Sequence, residues 1–302
     1  MEIDMKKFIC IVFTLLFLLS VCGCAERKTP VDSETVGSDP VNSSESVTET
    51  GTQEDESTPI SDFIYTVSDN TVTITGYNGS DEVVKIPSYI EGYPVSIIGE
   101  EAFSKKQGLK KVILSDTVKE IGKKAFYESV ELEEVVMPEG LSVISEQAFK
   151  FCTALSAVNL PDTLTFIYNG AFENCTSLKY VRIPAIECYK FDENREEHFM
   201  INGRSIANAF KGSGVEEVDF AEGVEMIPFG MFCASDIKTF IAPSTLLFLG
   251  SGAFWGCDKL EKVELNKNLK YMHTHTFGSA NSTAVPKINY PENIIIRSYP
   301  DE

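Results

Sequence analysis

Apolar residues recur along this chain with a period of 22 or 23 residues, and the recurrence is clearest at a phenylalanine. Three successive steps of 23 residues separate the Ala-Phe pairs that end at Phe103, Phe126, Phe149 and Phe172. Equivalent phenylalanines follow, in steps of 22, 22 and 23, at Phe210, Phe232, Phe254 and Phe277. A fixed period of this length predicts a repeat architecture with one supersecondary unit in each period.

Two further apolar positions keep the same register as the phenylalanine. The residue five places before it is aliphatic or Met in all units but one, which has Ser205, at Ile98, Ile121, Ile144, Ile167, Ile227, Leu249 and Met272. Five or six places after it stand Leu109, Leu132, Leu155, Leu178, Val215, Ile237 and Leu260. The later residue opens an L-x-x-V-x-L pattern, whose last steps alternate between the two faces and predict a short strand.

One unit of this size is too small to bury its own Leu, Ile and Phe, so neighbouring units are expected to stack and bury them as continuous rows. A proline ends the predicted strand in several units, at Pro138, Pro161, Pro184 and Pro243. The pattern therefore predicts a β-rich solenoid of about eight units of 22–23 residues. A parallel sheet is expected on one face, with short extended or turn segments on the other.

The step Ile-Gly-x-x-Ala-Phe, present at residues 98–103 and 121–126, resembles the BspA-type leucine-rich repeats of bacterial and protist surface proteins. The resemblance covers residues from about 63 to 280. It implies a leucine-rich-repeat solenoid that binds and does not catalyse, with adhesin-like recognition of a host or neighbouring-cell protein. A structural or assembly role at the producing cell's own envelope is the alternative.

The same register divides the folded part of the chain. Residues 63–94 are predicted to form an N-terminal capping unit, 95–277 the repeats, and 278–302 a closing cap or tail. The 38-residue step from Phe172 to Phe210 indicates an insert of 15 residues between positions 185 and 208. Its aromatic residues are candidates for a protruding binding loop or, alternatively, for an extra turn packed against the rod: Tyr189, Phe191 and Phe199.

The N-terminus predicts export. Two lysines precede an apolar run over 8–21, which is short for a bilayer span and typical of a signal peptide over residues 1–23. The run ends in a segment that resembles the lipobox of bacterial lipoproteins, so Cys24 is the expected site of lipid attachment. Attachment at Cys22, or cleavage without a lipid, stays open. The expected membrane contact is through this lipid only.

Charge and composition separate a tether from the folded part and exclude one class of partner. Residues 24–62 hold ten acids and two basic residues among Ser and Thr, which predicts a disordered tether. The whole chain has a formal charge of -19, with acids along its length, so it lacks the clustered cations of a nucleic-acid-binding surface. We expect a lipid-anchored protein on the extracellular face of a bacterial membrane. The long acidic spacer suits passage through a thick cell wall, and Ala25 stands where an Asp would favour inner-membrane retention in a two-membrane cell. Both features favour a one-membrane cell.

Candidate chemistry is sparse. The chain has three histidines and lacks the G-x-S-x-G, H-E-x-x-H and P-loop motifs, so we expect neither an enzyme nor a cofactor. A carbohydrate-active enzyme with a carboxylate pair is the least favoured alternative. The pair His273 and His275 would need a third ligand to hold a metal, and the preferred interpretation is two polar residues on an exposed face. Three cysteines follow the repeat Phe by three residues and are expected to be buried thiols, although a disulfide between the first two is an alternative: Cys152, Cys175 and Cys257.

The outward positions of the repeat strands are the main candidates for a protein ligand, because a parallel sheet sets them side by side. Tyr180 and Arg182 are residue types that often anchor interfaces, and the acids of the next unit favour a basic partner. A soluble surface without a ligand is the alternative. The candidate residues are Lys111, Glu134, Asn159, Tyr180, Arg182, Glu217, Asp219, Thr239, Lys262 and Glu264.

Overall fold

The computed structural model describes residues 58–193, 200–201, 203–278 and 287–297. Within these ranges the chain forms short strands and two 3₁₀ turns, Ile60–Asp62 and Glu187–Tyr189, and no α-helix. The strands are β1 (Phe63–Ser68), β2 (Thr71–Tyr77), β3 (Val83–Lys85), β4 (Tyr89–Ile90), β5 (Tyr93–Ile98), β6 (Lys111–Ile113), β7 (Glu120–Ile121), β8 (Glu134–Val136), β9 (Val143–Ile144), β10 (Ala157–Val158), β11 (Phe166–Ile167), β12 (Tyr180–Ile183), β13 (Met200–Ile201), β14 (Arg204–Ser205), β15 (Glu217–Phe220), β16 (Met226–Ile227), β17 (Thr239–Ile241), β18 (Phe248–Leu249), β19 (Phe254–Trp255), β20 (Lys262–Glu264), β21 (Tyr271–His273), β22 (Phe277–Gly278) and β23 (Ile295–Arg297).

The strands confirm the predicted β-rich solenoid. One strand from each unit lies on the first sheet, side by side with its neighbours: β3, β6, β8, β10, β12, β15, β17 and β20. The row consists of three hydrogen-bonded groups, β3-β6-β8-β10, β12-β15 and β17-β20. Within each group pairing is parallel and advances by one repeat, so that Lys111 lies opposite Glu134, and Glu134 opposite Ala157. The predicted L-x-x-V-x-L segments therefore form the parallel sheet, with Val112 and Val135 turned into the core.

A second row of strands ends near the repeat Ile and covers the opposite side of the core: β2, β5, β7, β9 and β11, then β16, β18, β21 and β23. The 3₁₀ turn Glu187–Tyr189 bridges the two groups, since the N–H of Cys188 donates to the carbonyl of Thr165 and the carbonyl of Tyr189 accepts from Glu225. The backbone ladder on this side continues through the unit that carries the insert.

A third ladder follows the Ala-Phe loops. In each pair of neighbouring units the Phe N–H donates to a carbonyl one residue before the next Phe, as from Phe126 to Ala148 at 2.8 Å. The residues two places before and two places after the Phe are left-handed in most units, including Lys124, Glu128 and Phe151. L side chains disfavour this backbone conformation, so the loop geometry is imposed by stacking and not by local preference.

The core contains a column of ten aromatic rings, each next to the following one at centroid distances from 5.1 to 5.8 Å. The eight repeat phenylalanines supply most of it, and the N-terminal hairpin of β1 and β2 adds Phe63 and Tyr77 at one end. The hairpin turns at Asp69 and Asn70, both left-handed. Because Tyr77 packs against Phe103 and Phe63 packs against Tyr77, this hairpin closes the end of the core that the first repeat would otherwise expose.

The chain is already packed against the rod before the predicted start of the capping unit. Thr58 is buried, and its hydroxyl accepts the N–H of Lys85 at 2.9 Å. At the other end β23 adds a parallel strand next to β21. The predicted signal peptide, Cys24 and the tether up to residue 57 lie outside the described residues, as do 279–286 and 298–302 of the predicted C-terminal cap.

The two 3₁₀ turns have three residues each, so the described part of the chain contains no helix that could span a bilayer.

Candidate functional site

The ten candidate residues of the sheet face all lie on or next to the strands of the first sheet, in register from unit to unit. Tyr180 is opposite Glu217, Arg182 is opposite Asp219, and Thr239 is opposite Lys262. The outward positions thus form two rows that run along the rod, as the alternation predicts. Whether these rows bind a partner stays a prediction.

Three ion pairs between side chains of the protein itself neutralise part of the charge on this face. Lys111 contacts Glu134 of the next unit at 2.7 Å, and Lys262 contacts Glu264 of its own strand at 2.6 Å. Arg182 is held by Asp162 at 2.6 Å, which raises the pKa of the guanidinium. Exposed pairs of this kind contribute little to stability, but they leave less unpaired charge for a partner.

The sheet opens between β15 and β17, and a groove of about 430 Å³ lies there. β15 pairs with β12 and β17 pairs with β20, so the two central strands do not continue each other's ladder. Val218, at the position where Val112 and Val181 are fully buried, is partly exposed in the groove. The sequence pattern gave no indication of this opening, because Val218 keeps the repeat register.

The groove has apolar walls and an acidic floor. Tyr180 and Ile241 are 50% and 55% exposed at its sides, although large hydrophobic residues on this rod are mostly buried. Glu217 and Asp219 are exposed between them. No ion pair involving either acid occurs among the residues that the structure describes.

The other nearby acids are engaged. Glu222 accepts from the N–H of Ser244 at 3.1 Å and from its hydroxyl at 2.7 Å, and these bonds lower the Glu222 pKa. Glu216 lies between Lys238 and Lys179, whose hydrogen bonds lower its pKa to about 2. Glu222 and Asp162 lie outside the strand alternation, so the repeat pattern could not single them out.

Two of the insert's three aromatics, Tyr189 and Phe191, pack against the rod, as the extra-turn interpretation expected. Tyr189, a candidate for a protruding loop, is 0% exposed, because its turn takes the place of a strand in the second row. Phe191 stacks on Phe248 at a centroid distance of 5.4 Å. Because both side chains pack in the rod, the prediction that they belong to a protruding binding loop is wrong. Phe199 lies outside the described residues.

Arg204 fastens the returning strand of the insert. Its guanidinium donates from Nε and Nη2 to the carboxylate of Glu146, at 2.6 and 2.5 Å, and lies over the ring of Tyr168 at 3.5 Å. The pair lowers the pKa of Glu146, mainly through the hydrogen bonds from Arg204. Nothing in the repeat pattern identifies this contact, since the partners are 58 residues apart.

The expectation that both histidines near the last unit are exposed is wrong for His273. It is 8% exposed and its ring meets Phe248 edge-on at 5.8 Å. Burial, followed by Arg297 and His275, lowers its pKa. His275 is exposed, and across the described ranges no three His, Cys, Asp or Glu residues are grouped as metal ligands.

The three cysteines that follow the repeat Phe are buried and free. Each thiol donates to the carbonyl of the Phe in the preceding unit: Cys152 to Phe126 at 3.0 Å, Cys175 to Phe149 and Cys257 to Phe232 at 3.1 Å. Ser129 makes the same bond to Phe103. Ser and Cys can therefore make the same bond at this position of the repeat.

The sequence profile of the BspA type Leucine rich repeat region matches this chain in six copies, over residues 77–196 and 205–299. No curated protein matches it.

Three solved bacterial proteins have a similar structure. A leucine-rich repeat protein from Bacteroides ovatus is 26% identical with a TM-score of 0.61, covering 78% of this chain and 60% of that protein. A leucine rich cell surface protein from Faecalibacterium prausnitzii is 27% identical with a TM-score of 0.53, covering 68% of this chain and 53% of that protein. The leucine rich repeat protein of T. pallidum is similar in fold, at 24% identity and a TM-score of 0.51, covering 74% of this chain and 86% of that protein.

Proposed function

Because this chain belongs to the BspA-type leucine-rich repeat family, we propose that it is a cell-surface module that binds a partner protein through its first sheet. The groove between β15 and β17 carries this proposal. It combines exposed Tyr180 and Ile241 with two carboxylates that form no ion pair among the described residues. Stacked repeats present such faces to extended partners.

The groove favours a cationic segment of the partner. A Lys or Arg side chain placed between Glu217 and Asp219 forms charge-assisted hydrogen bonds, and its stem packs against Tyr180 or Ile241. A guanidinium also stacks on the face of a tyrosine. An adhesin that recognises a basic stretch of a host or neighbouring-cell protein is consistent with this chemistry.

The surface location rests on the N-terminus and on family likeness. The lysines, the apolar run over 8–21 and Cys24 support export and lipid attachment. The similar protein from F. prausnitzii is described as a cell surface protein. Labelling with a radioactive fatty acid tests the anchor: we expect Cys24→Ala to lose the label and Cys22→Ala to keep it, and the reverse result would move the site.

Binding of the purified protein to host matrix proteins and to envelope fractions of the producing cell tests the function. We expect host protein to be bound, and the double variant Glu217→Gln with Asp219→Asn to weaken binding by about tenfold or more, since a buried charge-assisted pair contributes roughly 1.5–3 kcal/mol.

The matched control is Glu134→Gln with Glu264→Gln, which removes the same charge from the same face outside the groove and should leave affinity within about twofold. Equal losses in both variants would contradict a specific groove. Binding to the cell's own envelope alone would replace the adhesin role with a structural one.

A further inference from the structure

A second cleft, of about 300 Å³, lies on the side of the rod formed by the Ala-Phe loops and away from the first sheet. Its size is at the lower end of the roughly 300–1,000 Å³ range of small-molecule sites, enough for one ring and a substituent. The side chains that line it include Lys211, Phe229, Cys233, Ser251, Trp255 and His275.

The backbone at the cleft has glycine at the same repeat position in two successive units. The left-handed position two residues before the Phe carries a side chain in Lys124, Gln147 and Asn208, and is glycine at Gly170 and, in two successive units, at Gly230 and Gly252. Both glycines line the cleft. A Cβ at Gly252 would have only the Cβ of Trp255 nearby, at 3.8 Å, so the space above it is open.

Two aromatic walls stand at this opening. Trp255, the single tryptophan of the chain, is 36% exposed and Phe229 is 38% exposed. The indole is held in place on its other sides, because His275 meets it edge-on at 5.9 Å and Gly278 leaves room for its six-membered ring. An exposed aromatic that is fixed in this way loses little conformational entropy when a ring stacks on it.

The charge at the cleft is opposite in sign to that of the chain. The protein has 45 acids and 26 basic residues, yet none of the residues that line this cleft is acidic. Lys211 is there, and no ion pair of Lys211 occurs within the described ranges. Glu173, whose charge helps to raise the pKa of neighbouring Cys233, is already paired with Lys150 at 2.8 Å.

We propose that this cleft binds a single ring of an acidic saccharide. The apolar C–H face of the sugar stacks on Trp255 beside Phe229, its carboxylate pairs with Lys211, and its hydroxyls reach Ser251 and His275. Aromatic walls with a few polar groups are typical of such sites. This site is separate from the groove on the first sheet and does not depend on the protein-binding role.

The single tryptophan provides a direct test, because its fluorescence reports only on this cleft. We expect glucuronic acid, added to the purified full chain, to produce a saturable emission change in the millimolar range, and glucose at least about tenfold weaker binding. Lys211→Gln should weaken glucuronic acid about tenfold and leave glucose unchanged. Phe229→Ala should weaken both sugars.

The control is Tyr180→Ala, a comparable loss of an exposed ring in the other groove, which should leave sugar binding unchanged. Melting temperatures of all variants, followed by circular dichroism, establish that they fold. No saturable change with glucuronic acid up to about 50 mM would overturn the site. Equal binding of glucose and glucuronic acid would overturn its assignment to acidic sugars.

Discussion

The rings of Phe172 and Phe210 stack at a centroid distance of 5.1 Å and an interplanar angle of 4°, although 38 residues separate them in the sequence. Phe149 and Phe172, one regular repeat apart, have nearly the same geometry, at 5.1 Å and 7°. The N–H of Phe172 also donates to the carbonyl of Ala209. The break in sequence spacing therefore leaves no break in the column, because the backbone of the Phe172 unit bonds directly to that of the Phe210 unit, as from the N–H of Asn169 to the carbonyl of Ser205 at 2.8 Å.

Removing a phenylalanine ring from the middle of the aromatic column should strongly destabilise the protein. Phe210 is fully buried between two rings, so we expect Phe210→Ala to lower the free energy of unfolding by about 3–5 kcal/mol. Phe277, at the end of the column and partly exposed, should lose less when it is changed to Ala. Urea unfolding followed by circular dichroism measures both, and equal costs would contradict a column that is packed from both sides only in its interior.

The contact between Arg204 and Glu146 should make stability depend on pH. The Glu146 pKa is lowered from its ordinary 4.5, so the folded state binds this proton less readily than the unfolded state. The stabilisation is complete above pH 4.5 and is lost as the pH falls through the lowered pKa. Arg204→Gln should therefore cost about 1 kcal/mol at pH 7, allowing for partial exposure, and progressively less as the pH falls below 4.5.

Thermal melts of both proteins across that range test this prediction. Arg182→Gln is a matched control, because Arg182 also holds a carboxylate but in a more exposed pair with Asp162. Its effect should be smaller at every pH. A constant difference between Arg204→Gln and the unaltered protein from pH 7 to 3 would show that packing on Tyr168, and not charge, is what the arginine contributes.

One left-handed residue offers a stabilising substitution. Ala234 has a φ of +56° and its side chain is exposed, so its Cβ strains the backbone without packing in the core. We expect Ala234→Gly to raise the free energy of unfolding by about 0.5–1 kcal/mol, after the greater entropy of the unfolded glycine is subtracted. Ala154→Gly, at a residue without positive φ, should instead lower it by a similar amount. Denaturant unfolding of the pair distinguishes the two signs.

Thiol reactivity should separate the cysteines of the folded region. Burial raises the pKa of Cys152 to about 12 and that of Cys257 to about 11, and it raises the pKa of Cys175 well above its ordinary value. Cys233 is only half-buried. We expect iodoacetamide at pH 8 to alkylate Cys233 well before these three, as measured by peptide mass spectrometry. In urea the four should react alike, and preferential labelling of Cys152 in the native protein would contradict its buried place.

The sequence by itself determined which side chains enter the core. The Phe, Ile and Leu positions recur at fixed offsets, and the structure buries almost all of them, from Ile98 to Leu260. Repetition makes this possible, since each unit meets the same neighbours and burial of one residue type at one offset is reinforced in every unit. The parallel sheet and the outward rows follow from the same period.

Only the tertiary structure decided where a groove or a cleft forms along the repeats. The groove beside Tyr180 lies over β15 and β17, which are not paired with each other, and the second cleft lies where Gly230 and Gly252 adjoin Trp255. Tyr189 and His273 are buried by contacts with residues that are distant in the sequence. A periodic pattern specifies contacts that every unit shares, whereas these features depend on single contacts between particular side chains, which only the stacked rod brings together.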